Sequence, residues 1–221
     1  MATATQQIGL FPLNTVLFPG ALLPLHIFEP RYRQLISECI ESNAPFGINL
    51  LDEGNLHLVG CTAHVQGVLR HYEDGRFDII IVGRRRYTLQ SFDDESKPYL
   101  VGIIEYLDDY SGQHVDLHLY QQCVQLYNQL VRRVFPGLEQ VLLPEENIPD
   151  FQETTPSFFM AQKAGLSLRQ KQVVLSLQSE NERLEFLRQH LTQLLPRLDQ
   201  MEEVLRVARR DGYYPPQQSH R

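Results

Sequence analysis

The stretch FPGALLPLHIFEPRYR occupies residues 18–33. It is among the most apolar segments of the chain, yet three prolines interrupt it. Proline lacks an N–H and has a fixed φ, which bars it from a central strand and from a helix interior. Pro24 therefore assigns ALLPLHIF (21–28) to a sheet edge or a bulge. Pro30 suits the first turn of a helix. From there EPRYRQLISECIES (29–42) places Tyr32, Leu35, Ile36, Cys39 and Ile40 at helical spacing. Glu29 at the helix entrance suits the dipole, and with Arg31 and Arg33 it forms a charge group expected to pin the helix to the strands.

Outward from this segment the first half reads as strands. IGLFPL (8–13), FGINLLD (46–52) and LHLVGCTAHVQGVLRHY (56–72) are β-prone. HYEDGRFDIIIVG (71–83) holds Asp74-Gly75 between β-rich arms, the strongest hairpin signal in the chain. RRYTLQSF (85–92) and YLVGIIEYL (99–107) bring the set to six or seven strands. Short strands, glycine turns and one early helix predict a partly closed barrel or curled sheet.

The pattern changes at DDYSGQH (108–114). From Val115 to Val134, Leu117, Tyr120, Val124, Tyr127, Val131 and Val134 step by three or four along one helix face. A proline-rich connector follows over 135–156. Thr155 or Ser157 is the expected N-cap of a short helix ending near Ala164. Residues 167–178 and 179–210 read as two more helices, with Pro196 expected to kink or split the second. The fold class is α+β, with a β-barrel subdomain over 8–110, a helical subdomain over 111–212 and a flexible tail over 213–221.

Composition narrows the function. With 221 residues and 43% hydrophobic content, the chain has ample material for a core. Its net charge of -7 argues against general nucleic-acid binding, whose affinity rests on neutralising phosphates. Three cysteines with no C-x-x-C pair fit a reducing compartment. No apolar run approaches membrane-spanning length, and the N-terminus carries no signal-peptide pattern. The expectation is a cytoplasmic protein that does not engage a membrane.

No catalytic constellation assembles. There is no P-loop and no G-x-S-x-G elbow. His114, Asp116 and His118 are the best metal candidate, since histidines four apart share a helix face, but the same residues suit a solvated first helical turn. Arg84-Arg85-Arg86 is the one basic cluster. On a regular strand Arg84 and Arg86 share a face and Arg85 points away. Either they contact an anion, or they are edge charges paired with Glu29 or Asp78. Neither a cofactor nor a metal is expected, and no residue is assigned a catalytic role.

FPLNTVLFPGALLPLHIFEPRYR, then VGCTAHV, then DGRFDIIIVGRRRYTL, taken in that order, resemble the substrate-binding N-terminal domain of Lon proteases. SFFMAQKAGLSLRQKQVVLSLQSENERLEFLRQHL looks like that family's helical segment. The resemblance spans roughly residues 8 to 205. It implies a PUA-like barrel, and protein recognition without hydrolysis. It further implies a free-standing module without ATPase or peptidase parts, serving as adaptor or holdase. Its partners would be unfolded or client polypeptides and a protease or chaperone. RNA binding is the alternative, because PUA-like barrels elsewhere take RNA.

The opening segment then has two readings. Prolines 19 and 24 hold Phe18, Leu22 and Leu23 on a rigid apolar rim that binds polypeptide, with Phe18, Pro19, Leu22, Leu23 and Pro24 as the site. Otherwise these side chains plug the barrel or bury against the helical half.

Overall fold

The computed structural model describes residues 5–137, 141–144, 149–151 and 155–210. Eleven elements follow in chain order: β1 (Gln6–Leu13), β2 (Leu22–Ile27), α1 (Pro30–Ser42), β3 (Phe46–Asp52), β4 (Asn55–His71), β5 (Phe77–Asp93), β6 (Val101–Tyr106), α2 (Leu117–Val134), α3 (Pro156–Lys163), α4 (Leu168–Ser176) and α5 (Glu180–Arg210). The fold is α+β. The tail expected over 213–221, and parts of the 135–156 connector, lie outside the described residues.

The strands form one sheet in the order β2-β5-β4-β3-β1-β6, and a further β5–β6 pairing closes it. β5, β4, β3, β1 and β6 make the ring, while β2 hangs outside it on β5. β1 and β3 run parallel, so the chain must cross over between them, and β2 and α1 are that crossover. The edge assignment of β2 follows from Pro24, which cannot donate to a second ladder neighbour.

β4 and β5 are each 17 residues long and bend through bulges. The segments 71–83 and 85–92, expected as separate strands, are one strand from Phe77 onward. Gly83 does not end the strand; it removes a side chain where another backbone passes. Between Gly83 and Arg86 the register against β4 shifts, with Thr62 alone facing Arg84 and Arg85. A bulge adds one residue and so reverses the alternation of faces. Before it Ile79 and Ile81 are buried in the main core; after it Tyr87 and Leu89 fill the small cluster inside the barrel with Ile8, Leu10 and Ile104.

The main core passes from the strands into the helices. Phe18, Cys61, Ile79 and Ile81 share it with Val124, Tyr127, Phe158, Leu184, Leu187 and Leu191. At this junction Asp109 accepts hydrogen bonds from Arg86 and Arg183. The Arg183 side chain is wholly buried. It also reaches Glu180 at 2.8 Å and the Leu177 carbonyl at 2.8 Å. Glu180 in turn accepts from the Ser157 hydroxyl at 2.6 Å. Buried charge is tolerable only when every group is partnered in this way.

The helices meet one expected cap position, at α3, and depart from expectation at α2 and α5. α2 begins at Leu117, two residues later than Val115, because Asp116 caps it, accepting from the His118 and Leu119 amides at 2.9 and 3.2 Å. Thr155 stands at the N-cap position of α3 without a side-chain cap bond. α5 runs unbroken through Pro196. Pro196 and Thr192, whose carbonyl the proline leaves unmatched, are both exposed, so the unmatched carbonyl is not buried and its cost is small. Among the described residues no helix is long and apolar enough to cross a membrane.

Candidate functional site

The site is assembled from the proline-interrupted segment over residues 18–33. Phe18 to Ala21 form a tight turn: the Ala21 amide donates to the Phe18 carbonyl at 3.1 Å, and Gly20 takes φ 76°. Pro at the second position and a positive-φ glycine at the third are the requirements of a type II turn. Gly20 and Gly83 then lock the turn to β5, the Gly20 amide donating to the Gly83 carbonyl and the Gly83 amide to the Ala21 carbonyl, each at 2.9 Å.

This geometry separates the five residues of the expected rim. Phe18 is not on a rim: it is 1% exposed and stacks on Phe158 with ring centroids 5.6 Å apart. The turn drives its ring inward, and burial in the shared core outweighs exposure. Pro19 is half-buried at the mouth of a cleft. Along β2 the faces alternate. Leu23 and Leu25 pack against the main core and Ile27 is buried in it, whereas Leu22, Pro24 and His26 face solvent.

The solvent side of β2 continues across the sheet. Leu22 lies opposite Val82, Pro24 opposite Ile80 and His26 opposite Asp78. On the next strand His64 lies opposite Val82, and Arg70 opposite Asp78. Directly paired residues project to the same side. Leu22, which is 59% exposed, therefore joins Pro24, Ile80 and Val82 in an apolar patch with His64 beside it. No sequence signal points to Ile80, Val82 or His64. In DIIIVG every residue between Asp78 and Gly83 is apolar, so alternation carries no signal, and only the hairpin register assigns the faces.

The patch has a polar boundary at each end. At one, Asp78 accepts from His26 Nδ1 at 2.6 Å and from the Tyr72 hydroxyl at 2.8 Å. These bonds, His26 first, hold its carboxyl below the ordinary value. At the other lies Arg84, two residues beyond Val82. The bulge changes the expected arrangement of the arginine triplet: Arg84 and Arg85 are both exposed and Arg86 is buried. Their partners are also not Glu29 or Asp78. Arg85 pairs with Asp108 at 3.1 Å and lies over the Tyr106 ring at 3.8 Å. Arg86 pairs with Asp109. Arg84 has no carboxylate partner among the described residues. It lines a cleft of about 440 Å³ with Pro19, Asp108, Thr155 and Phe158.

The other candidates settle differently. His114 precedes α2, and its carbonyl accepts from Asn181 at 2.9 Å. It thus shares no helix face with His118, and Asp116 is engaged as the cap. Among the described residues no three His, Cys, Asp or Glu side chains gather as a metal set. Glu29 pairs with Arg31 at 2.7 Å. Arg33 donates to the Asp74 carbonyl at 2.8 Å and so ties α1 to the β4–β5 hairpin. Cys39, Cys61 and Cys123 are buried, and burial pushes the last two thiols up to about 12.

Residues 7–193 match the model of the ATP-dependent protease La (LON) substrate-binding domain. The chain is 27% identical over 203 residues to a Lon protease of Flavobacterium johnsoniae, covering 82% of this chain and 23% of that protein. It is 32% identical over 118 residues to one of Parabacteroides distasonis, covering 49% and 14%. The chain thus spans under a quarter of the length of these curated relatives. Among solved structures, a Lon N-terminal domain protein from Xanthomonas campestris superposes with TM-score 0.62 at 23% identity, covering 82% of this chain and 96% of that one. The N-terminal domain of a Mycobacterium avium complex Lon protease gives 0.64 at 18%, covering 86% and 100%. These two likenesses establish a common fold.

Proposed function

Because this chain belongs to the ATP-dependent protease La (LON) substrate-binding domain family, we propose that it is a non-catalytic module that holds unfolded or client polypeptides on the solvent side of β2, β5 and β4. It serves a protease or chaperone as an adaptor, or acts alone as a holdase. The working unit is the strand half over 8–110, braced by the helical half over 111–212.

The observation that carries this reading is the pairing of Leu22 with Val82 and of Pro24 with Ile80 on a solvent-facing side. Two mechanical features support it. The type II turn and the Gly83 contacts fix β2 before any ligand arrives, so binding orders little chain. Pro24 removes a donor from the free edge of β2, which discourages endless strand addition while leaving side-chain contacts open. Leu22 and Pro24 are assigned to contact, Pro19 to the adjoining cleft, and Leu23 and Phe18 to support from beneath.

A titration with a reduced, unfolded model protein tests the reading. Saturable binding is expected, weakened about tenfold or more by Leu22→Asp, the equivalent of about 1.4 kcal/mol, with thermal stability retained. Unchanged binding by that variant removes the assignment of this face.

A further inference from the structure

Arg84 is an exposed cation with no carboxylate partner among the described residues, at the mouth of the cleft next to the patch. Each arginine around it is neutralised: Arg85 by Asp108, and Arg86 and Arg183 by Asp109, with Glu180 also on Arg183. Among the described residues four guanidinium groups thus meet three carboxylates, and the surplus charge sits on Arg84. The chain as a whole carries -7, so this local excess runs against the overall balance.

We propose that Arg84 reads an acidic side chain, Asp or Glu, lying at the end of an extended apolar segment of the bound polypeptide. This rests on the reading above and names the class of segment that the same face selects. Asp78, Ile80 and Val82 lie on one side of β5, with Arg84 at the bulge beyond them, so the row from Asp78 to Arg84 spans about 20 Å at ~3.3 Å per residue. A client strand laid along it sets apolar side chains on Ile80, Pro24, Val82 and Leu22, and its carboxylate reaches the guanidinium at the cleft. At the opposite end Asp78, held ionised by His26 and Tyr72, faces the exposed Arg70 across the β4–β5 pair, so the cation there is already compensated. The polarity of the row therefore sets the direction in which a segment with one acidic end docks. Charge complementarity of this kind adds selectivity more than raw affinity.

The test uses the full chain and peptides of about eight residues, ~26 Å when extended, with blocked termini. One carries a glutamate at one end of an apolar run, one a glutamine there. A third keeps the glutamine and has a free C-terminal carboxylate. The glutamate peptide is expected to bind about tenfold more tightly than the glutamine peptide at low salt. The difference should vanish in Arg84→Gln, and Arg84→Glu should prefer a lysine peptide. Equal binding of glutamate and glutamine peptides, both abolished by Leu22→Asp, overturns the role of Arg84 and leaves the polypeptide-binding reading standing. A gain confined to the free-terminus peptide also overturns it. Binding of neither peptide sinks both. Saturable, Arg84-dependent binding of an oligouridylate in their place assigns the cation to RNA and overturns the proposal.

Discussion

The carbonyl oxygen of Phe18 lies against Gly83 so closely that a Cβ on Gly83 would sit 2.2 Å from it. The neighbour is backbone, in a turn tied to Gly83 by two hydrogen bonds, one from the Gly20 amide and one to the Ala21 carbonyl, so it cannot move aside cheaply. Gly83→Ala should destabilise the protein by about 1–3 kcal/mol, read as a lower urea midpoint at constant slope. An unchanged midpoint would show that the turn is free to shift.

Adjacent residues on β2 should respond oppositely. Leu22→Asp places charge in water and is expected to leave the melting temperature within about 2 °C, since exposed substitutions usually stay within ~0.5 kcal/mol. Leu23→Asp places charge against the core and should cost about 2 kcal/mol or more. Phe18→Ala should cost about 3–5 kcal/mol. Thermal melts of the three variants check the ordering, and equal losses for Leu22 and Leu23 would contradict the alternation.

Asp109→Ala should cost about 3 kcal/mol or more, because it leaves Arg86, only 4% exposed at its side chain, without a carboxylate. Denaturant titration is the measurement.

The same aspartate gives the protein an acid limit. Burial by itself raises the Asp109 carboxyl, but the hydrogen bond and charge of Arg183, then those of Arg86, outweigh it and hold the group below its ordinary value. A depressed folded value means the stabilisation is complete above about pH 4 and is lost as pH falls through the folded value. Stability plotted against pH should decline on that limb. Asp109→Asn should flatten the limb while lowering stability at neutral pH, and a parallel limb in the variant would mean that other carboxylates set it.

The cysteines should be silent. Burial pushes Cys39 to about 11 and Cys61 and Cys123 to about 12, so almost no thiolate exists at neutral pH. A chromogenic disulfide reagent should label none within minutes in buffer and all three in denaturant.

Much of the fold is legible in local signals. Pro24 marked the edge strand, Pro30 the start of α1, and Asp74-Gly75 the hairpin between β4 and β5, because each constrains the backbone at its own position. Other features needed the neighbouring strand. The bulge opposite Thr62 turns Arg85 out and Arg86 in, and no property of three consecutive arginines encodes that. His114 and His118 share no helix face because α2, capped by Asp116, starts two residues later than the apolar stripe implies.

The sequence by itself determined the family, the α+β order of elements and the edge position of β2, since these rest on motif order, periodicity and the φ and donor limits of proline. Only the tertiary structure decided which apolar residues are core and which are surface. Phe18 and Leu22 are both large and apolar and lie four residues apart. The turn locked to Gly83 sends the first onto Phe158 in the core shared with the helices, and the register of β2 on β5 leaves the second in water.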